Sequence, residues 1–416
     1  MDSMSFWKKS SIFVIASLSF SYIVESRAVY VLPVPKITLF AQVIQKLPKE
    51  LIKSLAKKHG TDKYAKGFNT WSHLVSMIFC QFADCVSLRE ISNGLRSANG
   101  NLNHLGIPRT PSKSNLAYQN EKRSCAFFRD CYYAPLDYFG QQVGFSGRKF
   151  RFKNAVHALD STIITLCAEV YDWARYTHAK GAVKLHTLLN FRTLLPEYVH
   201  ITDGRAGDNT AARNVEVKPG SIVVCDRGYL DTLLLNFWDS IKVFFVVRAK
   251  DNLLYERIKE RELPGNAHPE VLIDEVVRLT GNDTAGQYPK PLRRIAVYNA
   301  AHHFTMVLLT NNMALAAGTV ADLYKARWDI EVFFRNLKQN FHIKSFVGTS
   351  LNAVEVQIWT ALITILLFAV LKRQANYKWH FSNLVSSLRL NTFTKIGLYL
   401  WINKPFTPPP ETESET

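Results

Sequence analysis

Paired cysteines are missing from this chain. Its six, at positions 80, 85, 125, 131, 167 and 225, lie scattered among apolar neighbours with no Cys-x-x-Cys, so they read as buried thiols of a reducing cytoplasm. Cys80 and Cys85 have no second Cys or His pair at finger spacing after them, so they do not read as a zinc site. Acidic residues are scarce: Asp plus Glu number 34 against 51 Lys plus Arg, a net charge of +17 and a pI near 9.5. That balance favours a polyanionic partner, nucleic acid first and a membrane surface second. Bilayer-length apolar runs are absent from the body of the chain, because the run Ile358 to Leu371 is only 14 residues long and reads as a buried core helix. The start of the chain is different. Lys8 and Lys9 precede the apolar stretch Ile12 to Ile23, and Ser26-Arg27-Ala28 follows, the pattern of a secretory signal. A basic chain of this kind has no use for export, so residues 1–34 are expected to be a fused leader or the product of an upstream start. What is present is ample apolar material, 47% of the chain, enough for two or three domains with real cores.

From Ile37 to about Gly147 the pattern is helical, with Gly and Pro as punctuation. Residues 35–148 are expected to form a separate, mostly α-helical DNA-binding domain. Ser87 and Glu90 have the spacing of a capping box ahead of the helix at Leu88. After Gly94, Gly100 and Gly106-Ile107-Pro108, a second helix is expected from about Pro111-Ser112-Lys113. It carries Lys113, Asn115, Gln119, Lys122 and Arg123, side chains suited to bases and phosphates. The pair could form a relative of the helix-turn-helix or an ordinary solvated hairpin.

From Lys149 the texture changes to apolar strands: Ala155 to Leu166, Val183 to Asn190, Glu197 to Thr202, Ser221 to Cys225 and Lys242 to Val247. Helices around Asp208 to Asn214 and Thr232 to Trp238 imply parallel crossovers after an antiparallel start, the order of a ribonuclease H-like α/β sheet. Three further strands, Leu272 to Leu279, Leu292 to Tyr298 and His303 to Leu309, make a β insertion over residues 250–310. It is flanked by catalytic-core segments 149–249 and 311–404. Two long helices, Thr319 to about Phe341 and Ala353 to Arg373, close the core, and the Pro-rich tail 405–416 is expected to be disordered.

Three acids stand out. Asp160 interrupts an apolar strand, Ala155 to Ile164, where a carboxylate needs a cation partner. Asp226 follows Ile222-Val223-Val224-Cys225, where a parallel strand ends and ligand sites gather. On one continuous helix Tyr324, Arg327, Glu331 and Lys338 fall at about 0°, 300°, 340° and 320°, a single stripe beside the apolar one. Each acid taken alone also reads as a strand-end cap or as half of an i,i+4 ion pair. Taken together, three carboxylates can hold hard divalent cations astride a phosphate, with Arg327, Lys338 and Tyr324 gripping its neighbours.

The strings His157-Ala158-Leu159-Asp160-Ser161-Thr162, Val224-Cys225-Asp226-Arg227-Gly228-Tyr229 and Tyr324-x2-Arg327-x3-Glu331-x6-Lys338 resemble the insertion-sequence 4 family of DDE transposases, the last being its Tyr-Arg-Glu-Lys signature. The resemblance runs from about Lys36 to Phe406. It implies metal-dependent cleavage at the ends of a mobile element and strand transfer into target DNA. Asp160, Asp226 and Glu331 would be both catalytic and metal-holding, Tyr324, Arg327 and Lys338 would bind phosphates, and two Mg2+ ions, replaceable by Mn2+, would be the cofactors. The implied partners are double-stranded DNA and a second protomer in a paired-end complex, with no membrane. Residues 249 to 311 contain no Trp, and Tyr288, Tyr298 and Phe304 are only weak substitutes for the aromatic with which some relatives hold a flipped base. The expected reaction class therefore does not include a hairpin intermediate. Three other readings stay open: a DNA-binding regulator with structural acids, a nuclease that cuts without joining, and a secreted or membrane-associated protein.

Overall fold

The computed structural model describes residues 20–25, 28–33, 36–98, 102–142, 150, 153–167, 171, 173, 175–177, 180–263, 268–300, 303–341, 343 and 345–406. Most of the expected leader, Gly100 and Gly147, and the tail from residue 407 lie outside them. The described part of the leader region is a hairpin, β1 (Phe20–Glu25) against β2 (Ala28–Pro33).

Six helices follow: α1 (Leu39–Ile44), α2 (Lys49–Lys58), α3 (Thr70–Phe82), α4 (Leu88–Arg96), α5 (Lys113–Lys122) and α6 (Cys125–Gln142). Their starts obey local chemistry. Ser87 accepts from the Glu90 amide while the Glu90 carboxylate accepts from the Val86 amide at 2.8 Å, and Ser112 caps α5 through the Asn115 amide. Each such cap stabilises its helix by about 1 kcal/mol.

The central sheet has ten strands. β3 (Val156–Cys167), β4 (Arg175–Thr177), β5 (Lys180–Asn190) and β6 (Pro196–Asp203) are antiparallel neighbours, with β5 in the middle. The short helix α7 (Asp208–Ala212) then leads to β7 (Ile222–Cys225), parallel to β3, and α8 (Thr232–Ser240) leads to β8 (Phe244–Arg248), parallel to β7. The order is therefore β6-β5-β3-β7-β8.

The insertion departs from expectation in three ways. It opens with an additional strand, β9 (Tyr255–Glu260), exposed along its whole length and so without the apolar alternation that marks a strand in sequence. The expected turn at Gly281-Asn282-Asp283 is the start of a short helix, α9 (Asn282–Gln287). Most consequentially, β10 (Val271–Leu279), β11 (Leu292–Asn299) and β12 (Phe304–Thr310) extend the central sheet, because β12 pairs antiparallel with β8. Within the insertion, β11 is tied to β10 by a buried ion pair: Arg293 donates to both Asp274 oxygens at 2.8 and 2.6 Å.

The expected single helix from Thr319 to Phe341 is two, α10 (Ala317–Ala326) and α11 (Trp328–Asn340), separated at Arg327. There the Arg327 amide bonds to Tyr324 O and the Ile330 amide to Arg327 O, both 3.1 Å and both three residues back, a tightened turn. The chain ends with α12 (Leu351–Gln374), α13 (Phe381–Leu390) and α14 (Leu398–Asn403).

Alternation along the strands sends their two faces into two cores. Ala158, Ile222, Val224 and Val246 face α10 to α12, while Leu159, Val223, Cys225 and Phe245 face Leu234, Leu235 and Trp238 of α8. Among the described residues α12 alone is long and apolar enough to cross a membrane, yet 89% of its apolar window is buried within the protein. Phe368 meets Phe82 of α3 at 4.9 Å and Trp359 meets Tyr133 of α6 at 5.6 Å, both edge-on. The Asn352 side chain donates to Asn120 O and Arg123 O at 2.7 and 2.8 Å, closing the end of α5. The first six helices thus share one continuous apolar core with the last helices of the chain.

Candidate active site

Parallel pairing of β3 with β7 runs to the rung Leu159–Cys225. Asp160 is the next residue on β3 and Asp226 the first residue past the end of β7, so they stand side by side where the strands leave register, at a separation set by the roughly 4.8 Å spacing of neighbouring strands. Asp226 also caps the turn that follows, accepting from the Arg227 amide at 2.6 Å. Glu331 enters from the first turn of α11.

Arg327, at the break between α10 and α11, joins these elements. Its guanidinium donates to Glu331 Oε1 at 2.7 Å and to Asp160 Oδ2 at 3.4 Å. Tyr324, on the last turn of α10, donates to Asp226 Oδ1 at 3.5 Å, and its ring lies 5.6 Å from the Arg327 guanidinium. The three acids, Arg327 and Tyr324 therefore form one connected cluster. Lys338 is half-buried, seven residues beyond Glu331 on α11.

Burial pushes the Asp160 carboxyl up to about 6, and the nearby Asp226 and Glu331 charges add to the rise against the opposing pull of the Ser161 amide and Arg327. Burial works against the Arg327 charge, yet Tyr324, Glu331 and Asp160 raise its pKa overall. The donor set, oxygen-only and triply acidic, fits a hard divalent cation. Its present spacing does not form a cage. Among the described residues no three or more His, Cys, Asp or Glu side chains are gathered, as they stand, into a ready metal site. A guanidinium stands between Asp160 and Glu331, and its Nε is buried with no hydrogen-bond partner among the described residues.

A fourth acid, beside the cluster, carries no signature that sequence reasoning could find. One oxygen of Asp208, at the start of α7, receives Ser161 Oγ at 2.6 Å, Lys184 Nζ at 2.9 Å and Tyr229 OH at 3.4 Å, with His186 Nδ1 at 3.5 Å. Although burial opposes ionisation, the partners His186, Ser161 and Lys184 hold this carboxyl well below the usual range. Ser161 adjoins Asp160 and Tyr229 follows Asp226 by three residues, so Asp208 braces both strand ends at once.

The expected DNA-reading helix α5 is partly spent on the fold. Lys113, Asn115 and Lys122 are exposed and Gln119 is half-buried, with Lys122 paired to Glu121 at 2.6 Å. Arg123 corrects the expectation: it is only 4% exposed and points at the carbonyls of Thr61, Phe68 and Asn69, which leaves no side-chain surface for a ligand.

Residues 151–367 match the family described as Transposase DDE domain, and residues 36–108 match a domain of unknown function. A protein of Sinorhizobium fredii named as the transposase y4zB is 30% identical over 272 residues, 64% of this chain and 73% of that one. One of Geobacillus stearothermophilus, named as the transposase of insertion sequence element IS5377, is 28% identical over 57% of this chain and 63% of its own length. One of a Synechocystis strain, named as the transposase of insertion sequence element IS4SA, is 22% identical over 68% of this chain and 78% of its own.

Proposed function

Since the chain belongs to the Transposase DDE domain family, we propose that it is a DNA transposase of the insertion-sequence 4 type, cutting at element ends and joining them to target DNA. One observation carries this: Asp160, Asp226 and Glu331, far apart in sequence, are drawn into one cluster by Arg327 and Tyr324. The strand order β6-β5-β3-β7-β8, with acids at adjacent strand ends, supports a ribonuclease H-like core. Asp160, Asp226 and Glu331 are the residues that would hold Mg2+. When bound there, divalent ions lower the pKa of a ligated water and stabilise the leaving oxygen at phosphorus.

The protein's own part is positioning. Asp160 and Asp226 fix one side of the cleavage point from the sheet, and Glu331 fixes the other from α11. Arg327 and Lys338 would neutralise phosphate oxygens flanking the scissile bond, with Tyr324 donating to another. The reading carries with it two protomers, one per element end, working in the cytoplasm.

The test uses purified full-length protein, its own flanking DNA ends and a target plasmid. Mg2+ or Mn2+ is expected to give cleaved and joined products, and Asp160→Asn to bring both below detection while end-binding persists. Cleavage that survives in Asp160→Asn overturns the assignment, and cutting without joining reduces the activity to that of a nuclease.

A further inference from the structure

Outside the candidate site, one surface combines positive charge with aromatic rings and a concave shape. Lys49, Lys53 and Lys57 lie four residues apart on α2, so they share one face, and all three are exposed. They rim a cavity of about 730 Å3 whose floor includes Ile52, Ala56 and the half-buried Trp71. The Trp71 ring is fixed by its own indole N–H, which donates to Leu105 O at 2.7 Å, and Lys49 Nζ sits 5.4 Å from its centre. The segment 60–67 borders the same cavity through Gly60, Asp62 and Lys63. At its tip Tyr64 is 87% exposed and has φ of +63°. A bulky residue seldom adopts that conformation, and an aromatic ring so placed gains nothing from the protein's core. Lys63 lies 5.3 Å over it and Lys66 is exposed beside it.

The acids nearby are already engaged. Asp62 accepts from the Thr70 amide and hydroxyl, both at 2.6 Å, and Glu50 pairs with Lys53 at 2.7 Å on the open surface. The remaining lysines leave the patch strongly positive. Lysines in a row with an exposed ring at one end suit a polyanion that also offers flat faces, which is the chemistry of DNA.

We infer that α2 and the 60–67 segment form a DNA-binding surface, with Lys49, Lys53 and Lys57 on successive phosphates and Tyr64 against a sugar or base. This rests on the reading that the chain acts on DNA, and it places the contact on α2 rather than on α5. Spacing supports it: the 1.5 Å helical rise puts these lysines roughly 6 Å apart, close to the distance between adjacent phosphates along one strand.

The experiment measures binding of the full chain to a fluorescein-labelled random-sequence duplex by anisotropy, across a range of salt concentrations. In K49Q/K53Q/K57Q the slope of log affinity against log salt is expected to shrink by roughly 2.7, about 0.9 per lost phosphate contact. Tyr64→Ala is expected to weaken duplex binding with the slope unchanged, and to weaken binding of a labelled single strand, whose bases are free to stack, roughly tenfold. K113Q/K122Q on α5 is the control, with a smaller expected change, and circular dichroism melting shows that each variant folds. An unaltered slope in the folded α2 variant overturns the inference. So does a larger loss from the α5 variant, or loss of binding to phosphatidylserine vesicles alone. Absence of DNA binding by the unaltered chain removes the functional reading as well. Intact binding by Asp160→Asn, together with loss in the α2 variant, separates the two sites.

Discussion

His73 illustrates how burial decides the charge of a residue far from any chemistry. Fully enclosed, it meets Asn120 Oδ1 at 2.7 Å through Nε2 and has Arg123 nearby, and burial above all, then Arg123, lowers its pKa from 6.5 to about 3. Below about pH 6.5 the unfolded chain takes up a proton that the folded chain refuses, so stability falls on acidification until about pH 3. The loss is roughly 2 kcal/mol by about pH 5. His73→Gln is expected to flatten this part of the melting-temperature profile, and an equal slope in both proteins would remove His73 as its cause. At this scale the sequence was informative wherever a residue clashed with its surroundings. Asp160 inside an apolar strand announces itself. Asp208 does not, because its partners Ser161, Lys184, His186 and Tyr229 meet it only after three strands and a helix have assembled. Arg123 looked like a phosphate ligand because sequence gives its charge but not the three carbonyls that enclose it.

Among the elements, those with strong periodicity were legible and those defined by their neighbours were not. The core strands β3, β5, β6, β7 and β8 fall within a few residues of their expected bounds, because buried strands are written as apolar runs. The break between α10 and α11 is silent in Ala326-Arg327-Trp328-Asp329, which holds neither Pro nor Gly. It coincides with the side-chain bonds of Arg327 to two different elements. The union of the insertion with the central sheet depends on β12 finding β8, a pairing between residues some sixty positions apart. Placement of Asp160 depends in turn on how β3 is braced. Ser161→Ala removes the 2.6 Å bond to Asp208 without burying a new charge. It is expected to slow single-turnover DNA cleavage on the order of tenfold, with DNA affinity unchanged; an unaltered rate would show that the brace is irrelevant to the reaction.

For the whole molecule, the boundary near residue 148 separates helices from strands but does not divide the apolar core. Phe79 and Phe82 of α3 and Tyr132 of α6 belong to the core that α12 fills, and the Leu39 and Phe40 amides bond to Thr394 O and Thr392 O at 2.9 and 3.1 Å. Residues 149–416 expressed alone should therefore expose one side of α12. The expected outcome is loss of a cooperative melting transition and binding of an apolar dye; a sharp transition with wild-type midpoint would show that the C-terminal part stands alone. Burial is what sequence conveyed least at this scale, since the run Ile358 to Leu371 shows that a helix must be covered without saying by what. The cover comes from both ends of the chain, and that sets an order of events during synthesis. While the ribosome is still adding residues short of 374, the early helices have no central rod to close around, and their aromatic faces stay open to chaperones and to one another. Completion of the fold is therefore a late step, timed by the emergence of one helix.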